Sequence, residues 1–221
     1  MSRAVPFGGG ALRGASDALG EVLRLLADDV GFADSQSIFG QGDPGDALFA
    51  VLEGAVEISV LSTDGRKLVL NLLGPGKVFG EIALFDAGPR TASATAAGAV
   101  RLARVRRADV LARVTQDTGF AAELLALAGA RLRWISDRYE DLAFLPLPVR
   151  LARRLLYLSA QAGTPVLEMS QADLADHVGA TREAVSKCLA GWRGDGLVKL
   201  GRGWVELATP DRLGELADGV F

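Results

Sequence analysis

The chain has 221 residues, 49% apolar and 23% charged, which suits one large or two small globular domains and excludes global disorder. Twenty-four basic against 27 acidic side chains leave a net −3, so any nucleic-acid contact must come from a local basic patch. One cysteine, Cys188, excludes a disulfide framework or a multi-cysteine Fe–S cluster, and with one histidine, His177, it argues against a zinc site.

In chain order, residues 1–16 are rich in glycine and alanine, with Arg3 but no apolar stretch behind it. No apolar run anywhere approaches the roughly 18 residues of a membrane span. Neither secretion nor a membrane partner is expected, and the expected location is the cytoplasm. Leu19, Val22, Leu23 and Leu26 predict a short amphipathic helix over Asp17–Val30. From Ser37 to about Ala99, turn signals stand at Gly42-Asp43-Pro44-Gly45, Glu53-Gly54, Asp64-Gly65 and Gly74-Pro75-Gly76. Between them Val56–Val60 alternates strictly and Lys67–Leu72 more loosely. Strands and turns at this spacing predict a small β-barrel or roll, with or without a ligand.

Over Thr118–Phe144 the residues Ala121, Leu125, Ala128, Leu132, Ile135, Tyr139 and Leu142 recur at alternating spacings of four and three. That is a heptad seam. It fits a homodimer through residues 121–142, or packing of the helix on its own β domain. The regular register of small alanines and large leucine and tyrosine side chains favours the dimer. After Pro146 and Pro148, Val149–Ala160 reads as a helix. Ser170-Gln171-Ala172-Asp173 has the shape of a capping box opening a short helix that ends at Gly179. Thr181 caps a further helix running to about Arg193, and Gly194-Asp195-Gly196 breaks the chain. Leu197–Leu200 and Trp204–Leu207 then form a hairpin around Gly201-Arg202-Gly203. This order is that of a winged helix-turn-helix.

On the helix after Thr181, Val185, Leu189 and Trp192 make the buried stripe, flanked by Ala184 and Cys188. Cys188 therefore reads as a core thiol. Arg182, Glu183, Ser186 and Lys187 share the other face near the N-terminus, the part of a recognition helix that enters the major groove. Arginine can hold guanine O6 and N7, glutamate can accept from cytosine N4, and lysine can reach guanine or a phosphate. Ser170 and Thr181 stand at helix starts that can hold phosphates. From Thr181 to Arg202, five basic residues face two acidic ones, a local balance of +3. The alternative is an ordinary solvated helix face.

In the β domain, Phe79-Gly80-Glu81-Ile82-Ala83-Leu84-Phe85 is followed by Arg90-Thr91-Ala92. Gly80 permits a tight turn, Glu81–Leu84 can start a short helix, and Arg90 adds a fixed positive charge. Glu81 suits a ligand that carries hydroxyls as well as an anion. The plainer alternative is a surface ion pair between Arg90 and Glu81.

The string Phe79–Ala92 resembles the phosphate-binding cassette of cyclic-nucleotide-binding domains. Together with Asp141-Leu142-Ala143-Phe144-Leu145 at a hinge and Thr181–Lys187 in the reading helix, it makes Asp29–Leu207 resemble the cyclic AMP receptor protein/fumarate-nitrate regulator (CRP/FNR) family of bacterial transcription factors. The resemblance implies an α+β chain. A β-roll effector domain with an N-terminal helix would occupy residues 1–116, a dimerisation helix and hinge 117–145, and a winged helix-turn-helix 146–221. It implies that Glu81 accepts from the ribose 2′-OH and that Arg90 neutralises the cyclic phosphate. Thr91 would contact phosphate or base, and backbone groups of Gly80, Ile82 and Ala83 would line the pocket. Arg131 on the long helix would approach it. The Thr-Ser pair that meets adenine in the family reads Ile135-Ser136 here, and isoleucine cannot hydrogen-bond the adenine amine. Cyclic AMP is the first expectation and cyclic GMP the second. Lys187 replaces a family arginine, a point charge where the family has a fork.

The implied partners are double-stranded DNA, a second copy of the chain and RNA polymerase. Metal, haem and Fe–S cofactors are not expected. Cyclic nucleotide would shift the dimer toward a state whose reading helices stand about 34 Å apart and meet a palindrome. A second expectation is a ligand-independent regulator of the same fold. An enzyme would need a nucleophile–base pair, a metal or a phosphate loop, and none of these patterns is present in the sequence.

Overall fold

The computed structural model describes Gly20, residues 25–86 and residues 88–218. The chain divides into two compact units, Met1–Gly65 with Leu70–Trp134, and Arg66–Val69 with Ile135–Phe221.

The first unit is built on a six-stranded antiparallel sheet of order β1-β6-β3-β4, with β2 paired to β6 and β5 to β3. Its strands are β1 (Asp28–Phe32), β2 (Ser37–Phe39), β3 (Ala47–Leu61), β4 (Lys67–Leu73), β5 (Val78–Phe79) and β6 (Ser93–Arg106). Strand β3 opens with six consecutive buried residues because both of its faces are covered. Ala47, Phe49 and Val51 face the inside of the roll with Phe79, Ala94 and Leu102. Leu48, Ala50 and Leu52 face outward onto Val110, Phe120 and Leu124.

That double burial corrects one sequence expectation. Glu53-Gly54 does not end a strand; it is a bulge inside β3, with register shifts against β6 on both sides of Glu53. Gly54 has φ +78°, and a Cβ there would stand 2.3 Å from the Ala99 carbonyl oxygen. Only glycine lets the long strand bend at that point. The helix expected over Asp17–Val30 is also shortened. Gly20, Leu25 and Leu26 are helical, but Asp28–Val30 already belong to β1 and pair with Arg104–Leu102. Val30 packs against the roll interior, and that burial outweighs the local helical period. Residues 1–19 and 21–24, which hold Arg3 and half of the expected helix, lie outside the described residues.

A short helix α1 (Ile82–Asp86) follows β5, and β6 leads into α2 (Arg107–Gln116) and the long α3 (Thr118–Phe144, 27 residues). Asp117 divides the two helices. Its carboxylate accepts from the Phe120 N–H at 3.1 Å and from Arg113 at 2.9 Å. Those bonds hold its pKa below the usual aspartate value, the Phe120 N–H contributing most.

The second unit carries α4 (Leu147–Ala162), β7 (Val166–Leu167), α5 (Gln171–Val178), α6 (Arg182–Gly194), β8 (Val198–Gly201), β9 (Trp204–Leu207) and α7 (Pro210–Ala217). The hairpin β8–β9 is extended by β7 into a three-stranded sheet of order β7-β9-β8. Strand β7 and helix α7 were not among the elements expected from the sequence. Fold class is nevertheless as expected: a β-roll, a long helix and a winged helix-turn-helix. Among the described residues, no helix is long and apolar enough to cross a membrane.

Candidate effector site and nucleic-acid interface

The turn after β5 opens the segment in which the sequence places the effector residues. Phe79 pairs with Phe49 of β3, and Gly80 reverses the chain with φ +81°. A Cβ on Gly80 would lie 2.8 Å from Arg90 Nη1 and 3.2 Å from the Ala47 carbonyl oxygen, so no other residue fits without displacing Arg90.

Arg90 is buried, only 4% exposed, and its guanidinium is fixed from several sides. Nη1 donates to the Gly80 carbonyl at 2.9 Å and Nη2 to the Ala47 carbonyl at 2.8 Å. Cζ lies 4.2 Å from the centroid of the Phe39 ring. Burial pushes its pKa below the ordinary arginine value, and Asp46, Glu81 and Asp43 oppose that push. A guanidinium stays charged under any such shift. Nε, by contrast, is buried and has no hydrogen-bond partner. A buried N–H without an acceptor is costly, and here it belongs to a cation.

Glu81 is 2% exposed, and its Oε1 accepts from Arg131 Nε of α3 at 2.7 Å. The Arg131 guanidinium also lies 5.7 Å from the Trp134 ring. The surface ion pair considered between Arg90 and Glu81 therefore does not form. Each is buried with its own partners, Glu81 with a long-helix arginine and Arg90 with backbone carbonyls. Ala83 is buried against the 42–46 loop, where a Cβ on Gly45 would overlap the Ala83 methyl at 2.0 Å. Ile82 is half-buried and Thr91 exposed. Ile135 and Ser136 are exposed on the next turn of α3 after Arg131.

The helix-turn-helix is closed by its own caps. Ser170 Oγ accepts from Asp173 N at 3.1 Å while Asp173 Oδ2 accepts from Ser170 N at 2.9 Å, a complete capping box on α5. Thr181 Oγ1 accepts from Ala184 N at 3.2 Å at the start of α6. Val185, Leu189 and Trp192 are buried, and Arg182, Glu183 and Lys187 are exposed beside one another. Ser186 departs from the expected reading face. It is half-buried on the flank toward α5, and its hydroxyl donates to Gln171 Oε1 at 2.6 Å.

Two family models match the chain, a cyclic nucleotide-binding domain over residues 30–117 and a Crp-like helix-turn-helix domain over residues 149–216. A CRP-like cAMP-activated global transcriptional regulator of Mycobacterium tuberculosis is 32% identical over 215 residues, 94% of this chain and 96% of that protein. The chain belongs to the CRP/FNR family of transcriptional regulators. A cyclic AMP receptor protein of Thermus thermophilus is 36% identical, covering 86% of this chain and 88% of that one. The solved structure of a CRP/FNR-family transcriptional regulator from the same organism aligns with a TM-score of 0.75 at 32% identity, over 86% of this chain and 98% of that one.

In this CRP/FNR regulator the one histidine is buried and the one cysteine half-buried. His177 is 4% exposed, and its Nδ1 accepts from Arg154 Nε at 2.9 Å. Burial, reinforced by the Arg154 charge, pushes its pKa down to about 3, so it is a neutral packing group. Cys188 is half-buried and burial pushes its thiol up to about 11. That is an inert thiol. Among the described residues, no group of three or more His, Cys, Asp or Glu is placed to hold a metal ion.

Sequence reasoning missed Phe39 and the 42–46 loop as neighbours of Arg90, which alone of the predicted site residues lines the cavity there. A cavity of about 390 Å³ opens beside the Arg90 guanidinium, lined among others by Phe39, Phe49, Asp43, Asp46 and Arg104. Phe39 has no signature beyond being an aromatic residue in a short strand. The loop had one: Gly42-Asp43-Pro44-Gly45 is more specialised than a surface turn needs. Its purpose emerges only from pairing, as Gly42 N donates to Arg90 O and Arg90 N to Asp43 O, both at 2.8 Å.

Proposed function

We propose that this CRP/FNR regulator is a homodimer that binds a cyclic nucleotide, cyclic AMP before cyclic GMP, and thereby sets its affinity for palindromic DNA. The observation that carries the effector reading is Arg90. A buried cation with an orphaned Nε donor is suited to receive one more acceptor, and a phosphodiester oxygen supplies it. Glu81, buried nearby, suits hydroxyl donors such as those of a ribose. The residues present therefore fit a cyclic nucleotide. Gly80, Ile82 and Ala83 would line the site with backbone groups, Thr91 would add a hydroxyl, and Arg131 would tie Glu81 to the long helix. Ile135 and Ser136 would face the base, with Ser136 supplied across the dimer.

Regulators of this family bind DNA as dimers. In this chain the dimer reading is supported by the seam of α3. Leu125, Leu132 and Tyr139 are 69%, 66% and 74% exposed, whereas Phe120 and Leu124 on the other face are buried in the roll's outer cluster. For DNA, Arg182, Glu183 and Lys187 would read bases, with Ser170 and Thr181 at the phosphates and Ser186 acting from its Gln171-bound position. RNA polymerase is the further partner, and the cytoplasm the location, that such a role entails. Domain limits of 1–116, 117–145 and 146–221 follow that division of labour.

Residues do the coupling in this proposal. Arg90 and Glu81 hold the ligand, Arg131 transmits the change at Glu81 to α3, and the Asp141–Leu145 hinge reorients the reading helices. Calorimetry with cyclic AMP and cyclic GMP tests it. Wild type should bind at least one of them, and Arg90→Ala should weaken that binding at least 100-fold, the loss expected when a buried charged partner of an anion is removed at ~3 kcal/mol or more. Unchanged binding by Arg90→Ala removes the site assignment. A second reading, a regulator that needs no ligand, is favoured by Ile135 in the base position and by the two carbonyls already bonded to the terminal nitrogens of Arg90. Absence of binding to both nucleotides, with intact operator binding, would select it.

A further inference from the structure

Resting on the assignment of Arg90 as the phosphate anchor, we propose that Asp46 is the charge filter of the effector site, weakening the binding of anions in proportion to their charge and so favouring a singly charged cyclic phosphodiester over a doubly charged terminal phosphate.

The Asp46 carboxylate lies 3.8 Å from Arg90 Nη2 and is 86% exposed, on the rim of the cavity beside the guanidinium. At that distance it makes no hydrogen bond to Arg90. Nor is it needed to orient Arg90, because the Gly80 and Ala47 carbonyls already hold both terminal nitrogens and Phe39 supports the plane. What Asp46 supplies is charge at a fixed place. Its own carbonyl accepts from Arg107 N at 2.7 Å, and the loop before it is paired to the Arg90 backbone and seated on Ala83. Asp43 stands on the same loop and Arg104 on the same rim, and of the carboxylates near Arg90, Asp46 acts more strongly than Glu81 or Asp43.

A phosphate brought to Arg90 is thus brought close to Asp46. The repulsion is modest for one negative charge, because the carboxylate faces water, and doubles for two. A neutral nucleoside feels none of it. The expected effect of Asp46→Asn is therefore a charge series. Affinity for adenosine is unchanged, that for cyclic AMP rises about threefold, and that for AMP, close to −2 above pH 7, rises about tenfold, since the factor for two charges is the square of that for one. The guanosine series should show the same dependence.

The test is competition by adenosine, cyclic AMP and AMP against a fluorescent cyclic AMP analogue. It uses the full chain as wild type, Asp46→Asn and Asp46→Ala at low salt and near 0.5 M. Both variants should show the series, and high salt should flatten it as the Debye length shrinks below about 5 Å. Because Asp46 is exposed and off every hydrogen bond that orients Arg90, the variants should fold as wild type does. The same change for all three ligands, no change for any, or weaker cyclic AMP binding in the variants would overturn the proposal. If wild type and both variants ignore cyclic nucleotides, it is the assignment of Arg90 that fails, and the filter falls with it.

Discussion

At the scale of single residues, His177 offers the cleanest measurement, because it is the only histidine in the chain. An unfolded histidine takes up a proton near pH 6.5, and folded His177 does so only near pH 3. Between those values the unfolded state binds more protons, so stability present at pH 7 is lost as the pH falls through that window. At pH 5 the loss is about 2 kcal/mol relative to pH 7, from the gap between pH 5 and the unfolded value. Urea unfolding at pH 7 and pH 5 should show this loss in wild type. Replacing His177 by Gln, which can still accept from Arg154, should abolish most of it. A slope that survives the substitution would mean that His177 charges in the folded protein. Arg90 teaches a related lesson about legibility. The sequence marks it as a cation near a glycine turn, but not that its terminal nitrogens would be spent on the Gly80 and Ala47 carbonyls. Those acceptors are backbone atoms, one of them 43 positions away, and no side-chain pattern encodes them.

At the scale of elements, legibility followed the range of the physics involved. Helix caps at Ser170 and Thr181 were readable because a capping bond spans three residues. The long α3 helix and its exposed apolar stripe were readable because their period lies within one helix. Strand β3 was not, since its opening run is buried on two faces by partners from far along the chain, and the Gly54 bulge looks like a turn until β6 is placed beside it. The Ser186–Gln171 bond was not readable, because a helical wheel locates a face but not the neighbouring helix that covers its edge. The seam also carries the element-scale prediction. Leu132→Asp changes a side chain that is 66% exposed, so it should cost the fold little. Between two copies, however, it would set two carboxylates in an apolar seam and leave them desolvated. Sedimentation should find wild type dimeric and Leu132→Asp monomeric at micromolar concentration, with circular dichroism unchanged. A variant that stays dimeric would place the interface elsewhere than residues 121–142.

At the scale of the whole molecule, the arrangement asks a chain of net charge −3 to bind a polyanion through a segment of net charge +3. Such a protein has little non-specific affinity to spare, so an effector that moves it even modestly can decide whether it occupies DNA. Coupling of this kind is a free energy shared by two sites and must act equally in both directions. If cyclic AMP tightens operator binding by some factor, operator must tighten cyclic AMP binding by that same factor. The expected size is roughly 5- to 150-fold, the usual range for linked sites. Anisotropy of labelled operator with and without saturating cyclic AMP gives one factor. Calorimetry of cyclic AMP into protein with and without operator gives the other, at one salt concentration, since DNA affinity falls steeply with salt. Equal factors above unity establish a single two-state equilibrium biased from the roll at one end and the reading helices at the other. Two factors of unity would leave the roll a passive domain on a DNA-binding protein, because a ligand with no differential affinity for two states shifts nothing, however tightly Arg90 and Glu81 hold it.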